Sequence, residues 1–177
     1  MLALISRTLG LEGDDRKPTV LFDTLRAYTL RYVTAIFETP LQLFVFLAGA
    51  WFTANGVIAF GIYPDMAFGG AMHSCTIRFL GFIPVTVNGW HALFHLISGL
   101  AGLVMATRRP RAELYTLIFA PYYLLVAALG FAGGDHVLHL IAVDTFGNVV
   151  HTIEGSALMV VGVLAALRPR ERQLGAA

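Results

Sequence analysis

Four long apolar stretches dominate the pattern of the chain, at residues 40–62, 84–107, 112–134 and 147–167. Each has close to the ~20 residues with which a helix crosses roughly 30 Å of hydrocarbon. None alternates like a barrel strand, and a segment in lipid must satisfy its own backbone hydrogen bonds. The pattern therefore predicts an all-α fold, an integral membrane four-helix bundle with these stretches as its spans.

The residues before the first span predict a different element. Residues 8–19 are typical of a polar tether, and five apolar side chains then recur at helical spacing: Leu21, Leu25, Tyr28, Tyr32 and Ile36. This spacing predicts an amphipathic helix at the inner membrane interface. Alternatively, the helix only leads into the first span and packs beneath the bundle. The predicted organisation is a tether and helix at 1–38, a four-span domain at 39–167 and a tail at 168–177.

Composition supports a membrane protein, because 57% of the 177 residues are hydrophobic and only 13% are charged. Soluble domains have about a quarter of their residues charged. Eleven of the twelve basic residues lie before the first span, between the second and third, or after the fourth, and only Arg78 lies elsewhere. Lys and Arg concentrate in cytoplasmic segments. Both termini are therefore predicted to be cytoplasmic, and the loops at 63–83 and 135–146 external. The arginine clusters serve topology, so no nucleic-acid partner is predicted.

The second and fourth spans share a motif at an offset of 60 residues. Asn88 and His91 correspond to Asn148 and His151, which indicates either an internal duplication or similar chemistry at two helix ends. Both spans are also rich in small residues, namely Ser98, Gly99, Ala101 and Gly102 on one and Gly155, Ser156 and Ala157 on the other. Small residues let helices approach closely in lipid. The second and fourth spans are therefore predicted to touch, with Asn88 and Asn148 as helix-pairing polar groups.

All six histidines fall in the predicted external half of the domain. His91 and His95 are four residues apart on one helix, and His151 and Glu154 are three apart on another, so each pair shares a helix face. If these helices pack together, three imidazoles and one carboxylate converge. An ionisable side chain within a span costs roughly 2.5 to 3.5 kcal/mol, so Glu154 requires a partner.

Three hypotheses explain this cluster. In the first, the histidines are structural and hydrogen-bond across helices to Asn88, Asn148, Glu154 or Ser98. In the second, they bind a divalent transition metal, for which imidazole and carboxylate are suitable ligands, through His91, His95, His151 and Glu154. In the third, one histidine from each helix ligates the iron of haem b. A proton relay would use the same residues.

The external loop at 135–146 supplies further candidates, since His136, His139 and Asp144 could extend the site outward. No catalytic residue is predicted, because the sequence contains no nucleophile elbow, no phosphate-binding glycine loop and no short zinc-protease motif.

The segments NGWHALFHLISGLAGL and VDTFGNVVHTIEGSALM, which flank an arginine-rich loop and the third span, resemble a bacterial four-helix membrane protein family of unknown function (DUF4383-like). The resemblance covers roughly residues 40–167, and the family pattern falls on five positions, His91, His95, Asp144, Asn148 and His151. Glu154 and the N-terminal extension lie outside that pattern. The resemblance implies a multi-pass protein of the bacterial cytoplasmic (inner) membrane and implies no activity.

Two functional hypotheses follow. The first is a non-enzymatic accessory or interaction subunit with a structural histidine cluster near its outer face, in contact with the lipid bilayer and with other membrane proteins or a second copy of itself. The alternative is a metal- or haem-binding membrane redox or transport protein that uses the histidine and glutamate cluster.

Overall fold

A computed structural model describes residues 16–79 and 81–168 of the chain. Most of the tether predicted at 8–19 and nearly all of the tail predicted at 168–177 lie outside the described residues. The chain divides into an N-terminal unit that ends at Ala35 and a second unit that begins at Ile36. The described residues contain five α-helices, which agrees with a mainly helical fold.

Helix α1 (Arg16–Ile36) forms nearly all of what is described of the N-terminal unit. The apolar positions that predicted an amphipathic helix do lie on one helix. Large apolar side chains along it, among them Leu21, Phe22, Leu25 and Tyr28, are exposed. The membrane interface as its location stays a prediction.

The second unit contains the other four helices, α2 (Pro40–Ile62), α3 (Gly89–Met105), α4 (Arg109–Gly133) and α5 (Thr145–Leu167). Among the described residues, α2, α4 and α5 are long and apolar enough to cross a membrane, with 23, 25 and 23 residues. Helix α3 is also apolar but has only 17 residues. Helices are thus confirmed in all four predicted segments.

The second predicted span, at 84–107, is wrong at its beginning, and the all-α prediction is wrong for two short hairpins. Residues Ile83–Val87 form strand β2, which pairs antiparallel with β1 (Cys75–Phe79). The segment alternates and is rich in β-branched residues, which favours a strand. Its apolar side chains line a core instead of facing lipid, since Val85 and Ile77 pack against Ala59, Val87 and Ala92.

A second hairpin occupies the loop predicted at 135–146. Strands β3 (His136–Val137) and β4 (Ile141–Ala142) pair antiparallel, and the turn between them places Leu138 and His139 at positive φ. Val137 and Ile141 form a core with Val126 and Val143, against which Trp90, Phe94 and Tyr122 pack. The β3–β4 hairpin therefore packs on the helices as part of the folded core.

The helices pair along small residues, and the second and fourth predicted spans are not a close-packed pair, although the side chains of His95 and His151 do contact each other across them. On α3, a Cβ added to Gly99 would collide with Thr53 of α2. On α5, a Cβ added to Gly155 would lie 2.9 Å from the backbone nitrogen of Leu124 of α4. The close-packed pairs are therefore α2 with α3 and α4 with α5, because the small residues of α3 pack against α2 and those of α5 pack against α4.

The two ends of the second unit differ in character. Arg108 caps α4, and Arg109 and Arg111 lie in its first turn. The Arg109 guanidinium donates to the carbonyl of Ala165 at the end of α5, at 3.2 Å. Both β-hairpins lie at the opposite end, where α3 and α5 begin. The histidines of α3 and α5 lie near this hairpin end.

Candidate metal centre

Helices α3 and α5 begin with the same capping arrangement. Asn88 caps α3 and its side chain accepts from the backbone N–H of His91 at 3.0 Å, whereas Asp144 caps α5 and accepts from that of Gly147 at 2.7 Å. Relative to these caps, His95 and His151 occupy the same position, seven residues on and roughly 10 Å along the helix. The structural correspondence is therefore an offset of 56 residues, in place of the 60 predicted from the matched asparagines.

The imidazoles of His91, His95 and His151 converge on one point. The Nε2 atom of His95 lies 3.2 Å from that of His91 and 3.3 Å from that of His151. One ring nitrogen of each histidine lies within 4.8 Å of the others. His91 and His151 are buried and His95 is partly buried. The structure thus brings together three of the four residues predicted from sequence as metal or haem ligands.

A backbone carbonyl fixes the protonation of His91. Its Nδ1 lies 2.7 Å from the carbonyl oxygen of Ala142, which can only accept, so Nδ1 carries the hydrogen. Asn88 holds strand β4 in place for this contact, because it donates to the carbonyl of Leu140 at 2.8 Å and accepts from the amide of Ala142 at 3.3 Å. The neutral His91 ring therefore presents a bare Nε2 to the cluster.

A hydroxyl circuit surrounds Nδ1 of His95. The Ser98 hydroxyl lies 3.1 Å from the carbonyl oxygen of His95 and 2.8 Å from the hydroxyl of Tyr123, and the Tyr123 oxygen lies 3.3 Å from Nδ1 of His95. If Ser98 donates to the carbonyl, Tyr123 donates to Ser98 and Nδ1 of His95 carries the hydrogen, which leaves Nε2 bare. In the reverse direction Tyr123 donates to Nδ1, and Nε2 of His95 carries the hydrogen.

The direction of the hydroxyl circuit decides how His91 and His95 interact. With Nδ1–H on both rings, two bare Nε2 atoms 3.2 Å apart repel unless a positive charge lies between or beside them. With Nε2–H on His95, that hydrogen can be donated to Nε2 of His91. The outer nitrogen of His91 is held by the Ala142 carbonyl, whereas Nδ1 of His151 is buried without a partner among the described residues.

Glu154 lies beside the cluster. Its Oε1 atom accepts from the indole N–H of Trp51 at 2.8 Å, and its Oε2 atom is buried without a hydrogen-bond partner among the described residues. The convergent group contains three of the four predicted residues, and a ligand role for Glu154 stays a prediction. The partner that the sequence required for Glu154 is Trp51, a residue on α2.

The outer-loop candidates do not join the three histidines. His136 and His139 contact each other, with ring centroids 3.7 Å apart, and the backbone N–H of His139 donates to His136. Asp144 is the cap of α5 and also accepts from the backbone N–H of Thr86 at 2.6 Å, which ties α5 to strand β2. Asp144 and Asn88 thus position the histidines from outside the cluster.

The predicted helix-pairing asparagines have different surroundings. Asn88 links α3 to the β3–β4 hairpin as described. Asn148 is buried on α5 and its amide packs against Gly130 of α4, where an added Cβ would collide with it. Its side-chain oxygen has no hydrogen-bond partner among the described residues.

Sequence reasoning did not find three groups that shape this centre: Tyr123, Trp51 and the carbonyl of Ala142. Tyr123 and Trp51 lie on α4 and α2, in spans that carry no histidine, so no local pattern connects them to the cluster. The Ala142 carbonyl is a backbone group, which a sequence does not distinguish. A buried polar residue within an apolar span is the one signal that could have marked Tyr123.

Comparisons with known proteins place the chain in a family. No curated protein and no solved structure matches it. The model of one protein family matches residues 42–164, which include helices α3, α4, both hairpins and the three histidines. The chain therefore belongs to the family described as Domain of unknown function (DUF4383).

Proposed function

We propose that this protein is a membrane protein that binds one divalent transition metal ion through Nε2 of His91, His95 and His151. The observation that carries the proposal is the convergence of three Nε2 atoms, with that of His95 3.2 Å from that of His91 and 3.3 Å from that of His151, while His91 donates its Nδ1 hydrogen outward to the Ala142 carbonyl. Metal-bound histidines characteristically donate their second nitrogen to a carbonyl or another acceptor. A purely structural cluster would instead pair each bare nitrogen with a donor.

The spacing of the nitrogens fits a tetrahedral ion. Ligand nitrogens at about 2.0 to 2.1 Å from a tetrahedral metal lie about 3.3 Å from one another. The two separations of 3.2 and 3.3 Å agree with this edge. Three imidazoles suit zinc, copper, iron or nickel, and a bound ion of this kind supplies Lewis acidity or, for copper and iron, a redox couple.

Haem b is the weaker alternative for geometric reasons. Two axial histidines lie on opposite sides of the iron, so their nitrogens must be about 4 Å apart, twice a typical metal–nitrogen distance. The observed separations are shorter, and the three rings contact each other with centroids 5.0 to 5.4 Å apart. A porphyrin plane would have to pass between rings that are already in contact.

We also propose that α2 to α5 cross the bacterial cytoplasmic membrane, with both chain termini in the cytoplasm. The support is the segregation of the arginines at one end and the hairpins at the other, together with the length of α2, α4 and α5. Helix α3 extends only about 25 Å at 1.5 Å per residue. The hairpins above it then occupy the outer headgroup region, and the metal lies just below them.

Metal analysis tests the proposal directly. The protein is purified in detergent without affinity resins that carry metal, and zinc, copper, iron and nickel are measured per chain. We expect about one metal per chain in the native protein and near zero in His91→Ala, His95→Ala and His151→Ala. His136→Ala and His139→Ala are matched controls, because they remove histidines outside the cluster and should leave metal content unchanged.

Cobalt substitution then tests the coordination. We expect Co²⁺ added to metal-free protein to give the intense visible bands of a tetrahedral site, and these should be absent from His95→Ala. A metal-free native protein that neither takes up Co²⁺ nor gains thermal stability from zinc would overturn the proposal. That result would favour the structural cluster and an accessory role in the membrane.

A further inference from the structure

A cavity of about 220 Å³ adjoins the histidine cluster. Its walls come from α2, the β1–β2 hairpin and α5, and they are mainly apolar, with Ile58, Ile83, Val85 and Val150 among them. Its polar lining residues are Asn55, the three histidines and Glu154. An apolar cavity with few convergent polar groups is the usual form of a small-molecule site.

Two residues that line this cavity have a buried polar atom without a partner among the described residues, His151 at Nδ1 and Glu154 at Oε2. The Trp51 indole holds Oε1 at 2.8 Å, which fixes the carboxyl group in place. The second oxygen, Oε2, is shielded from solvent and accepts no hydrogen bond from the described residues. A buried polar atom without a partner costs on the order of 1 to 3 kcal/mol, and more when charged. A ligand that hydrogen-bonds to Oε2 would recover this cost.

Exposed residues of α2 and α5 border the cavity. Trp51, Ile58 and Phe146 border it and are 45%, 48% and 41% exposed. In a membrane, large apolar side chains at this depth face lipid and not water. A ligand that enters between them therefore comes from the bilayer.

We propose that this cavity binds a single-chain lipophilic alcohol, with the hydroxyl on Glu154 Oε2 and the hydrocarbon chain against the apolar wall. A hydroxyl is both donor and acceptor, so it matches a carboxylate and a protonated carboxyl group equally. A fatty-acid carboxylate would bring a second negative group next to Glu154, and an alkane would leave Oε2 unpaired. The proposal stands on the cavity and on Glu154, and it does not require the metal.

Photo-crosslinking in lipid nanodiscs tests this site. The probe is a diazirine-bearing twelve-carbon alcohol, compared with the same probe lacking the hydroxyl and with the corresponding carboxylate. We expect the alcohol to label the cavity segments 51–59, 83–87 and 146–154, about ten-fold more than the hydrocarbon probe, since a hydrogen bond to a charged group contributes roughly 1.5 to 3 kcal/mol.

Two variants locate the binding. Glu154→Leu should lower labelling by the alcohol to the level of the hydrocarbon probe, and Val150→Phe should block both probes by filling the cavity. Leu114→Phe is the matched control, because it adds the same side chain on an exposed part of α4 outside the cavity. Metal content and the thermal unfolding temperature are measured on every sample, so a misfolded variant is recognised.

Equal labelling by the alcohol and the hydrocarbon, or labelling that Glu154→Leu leaves unchanged, would overturn the lipophilic-alcohol site. Such a result in a protein that holds its metal would leave the proposed metal centre intact. Selective labelling of the cavity in a metal-free protein would overturn the metal centre and support the alcohol site.

Discussion

His95 and His151 are 56 residues apart in the chain, and their Nε2 atoms lie 3.3 Å apart. Each is the seventh residue after the cap of its helix, Asn88 for α3 and Asp144 for α5. Helices α3 and α5 belong to different close-packed pairs, α2 with α3 and α4 with α5. The two histidines therefore contact each other across these two helix pairs. A ligand bound between them would join the two pairs at their outer ends.

The first prediction concerns the hydroxyl circuit. Tyr123→Phe should lower metal affinity about ten- to a hundred-fold, the usual effect of removing a hydrogen-bond partner of a metal ligand. The phenyl ring keeps its stacking on Phe52, at a centroid distance of 4.6 Å, so folding should be little changed. Competition with a chromogenic chelator measures the affinity.

Tyr122→Phe is the matched control for this experiment. Tyr122 is the neighbouring residue, and its ring packs against Phe94 at a centroid distance of 6.0 Å. Among the described residues, it makes no hydrogen bond to a histidine. Its substitution should leave metal affinity within about two-fold, well below the loss of a metal-ligand partner. An equal loss in both variants would count against the circuit that we assign to Tyr123.

The second prediction concerns helix packing. Gly99→Ala should destabilise the protein by on the order of 1 to 3 kcal/mol, because the added Cβ meets the backbone of Thr53 and α2 must move away. Gly61→Ala is the control on α2, since a Cβ there meets nothing within 4 Å. It should be neutral or stabilising by up to about 1 kcal/mol through helix propensity. Unfolding in mixed detergent and SDS micelles measures both, and similar stability of the two variants would contradict the packing.

The third prediction concerns topology, for which the single cysteine is a natural probe. Cys75 lies on strand β1, at the hairpin end, and is partly buried. A membrane-impermeant maleimide should label it in intact spheroplasts. In a Cys75→Ser background, Thr107→Cys in the arginine turn should be labelled only after permeabilisation. The reverse pattern would invert the proposed orientation.

The fourth prediction concerns pH and the loop after α2. The backbone N–H of Ala67 donates to Oδ1 of Asp65 at 2.7 Å, and His73 lies 3.3 Å from Oδ2, so these bonds lower the pKa of Asp65 below its ordinary value of 3.8. A lowered pKa means that the carboxylate stabilises the loop above the ordinary value. This stabilisation is lost as the pH falls through the lower, folded-state pKa.

Carboxyl NMR of Asp65 should therefore give a titration midpoint below 3.8. Amide exchange at Ala67 should speed up below that midpoint in the native protein and should show no such step in Asp65→Asn, after correction for intrinsic exchange. A midpoint at or above the ordinary value would mean that the hydrogen bonds do not form.

The positions of the helices follow from residue patterns that act locally. The first apolar helix is predicted at 40–62 and observed at Pro40–Ile62, because a proline opens the apolar run and a polar loop ends it. The second span is misplaced by five residues, because Ile83–Val87 is as apolar as a span although it forms a strand. Hydropathy reports how apolar a segment is. It does not distinguish a strand packed on α2 and α3 from a helix in lipid.

The sequence by itself determined that the chain is helical and apolar, and that His91, His95, His151 and Glu154 share helix faces, since spacing along a helix dictates which side chains lie together. Only the tertiary structure decided which helices pair, because small residues allow a close approach but do not specify which helix packs against them. It likewise decided that Glu154 meets Trp51, that the Ala142 carbonyl holds Nδ1 of His91 and that Tyr123 lies beside Nδ1 of His95. Those contacts join residues from different helices and hairpins, and their distances depend on how the whole domain packs.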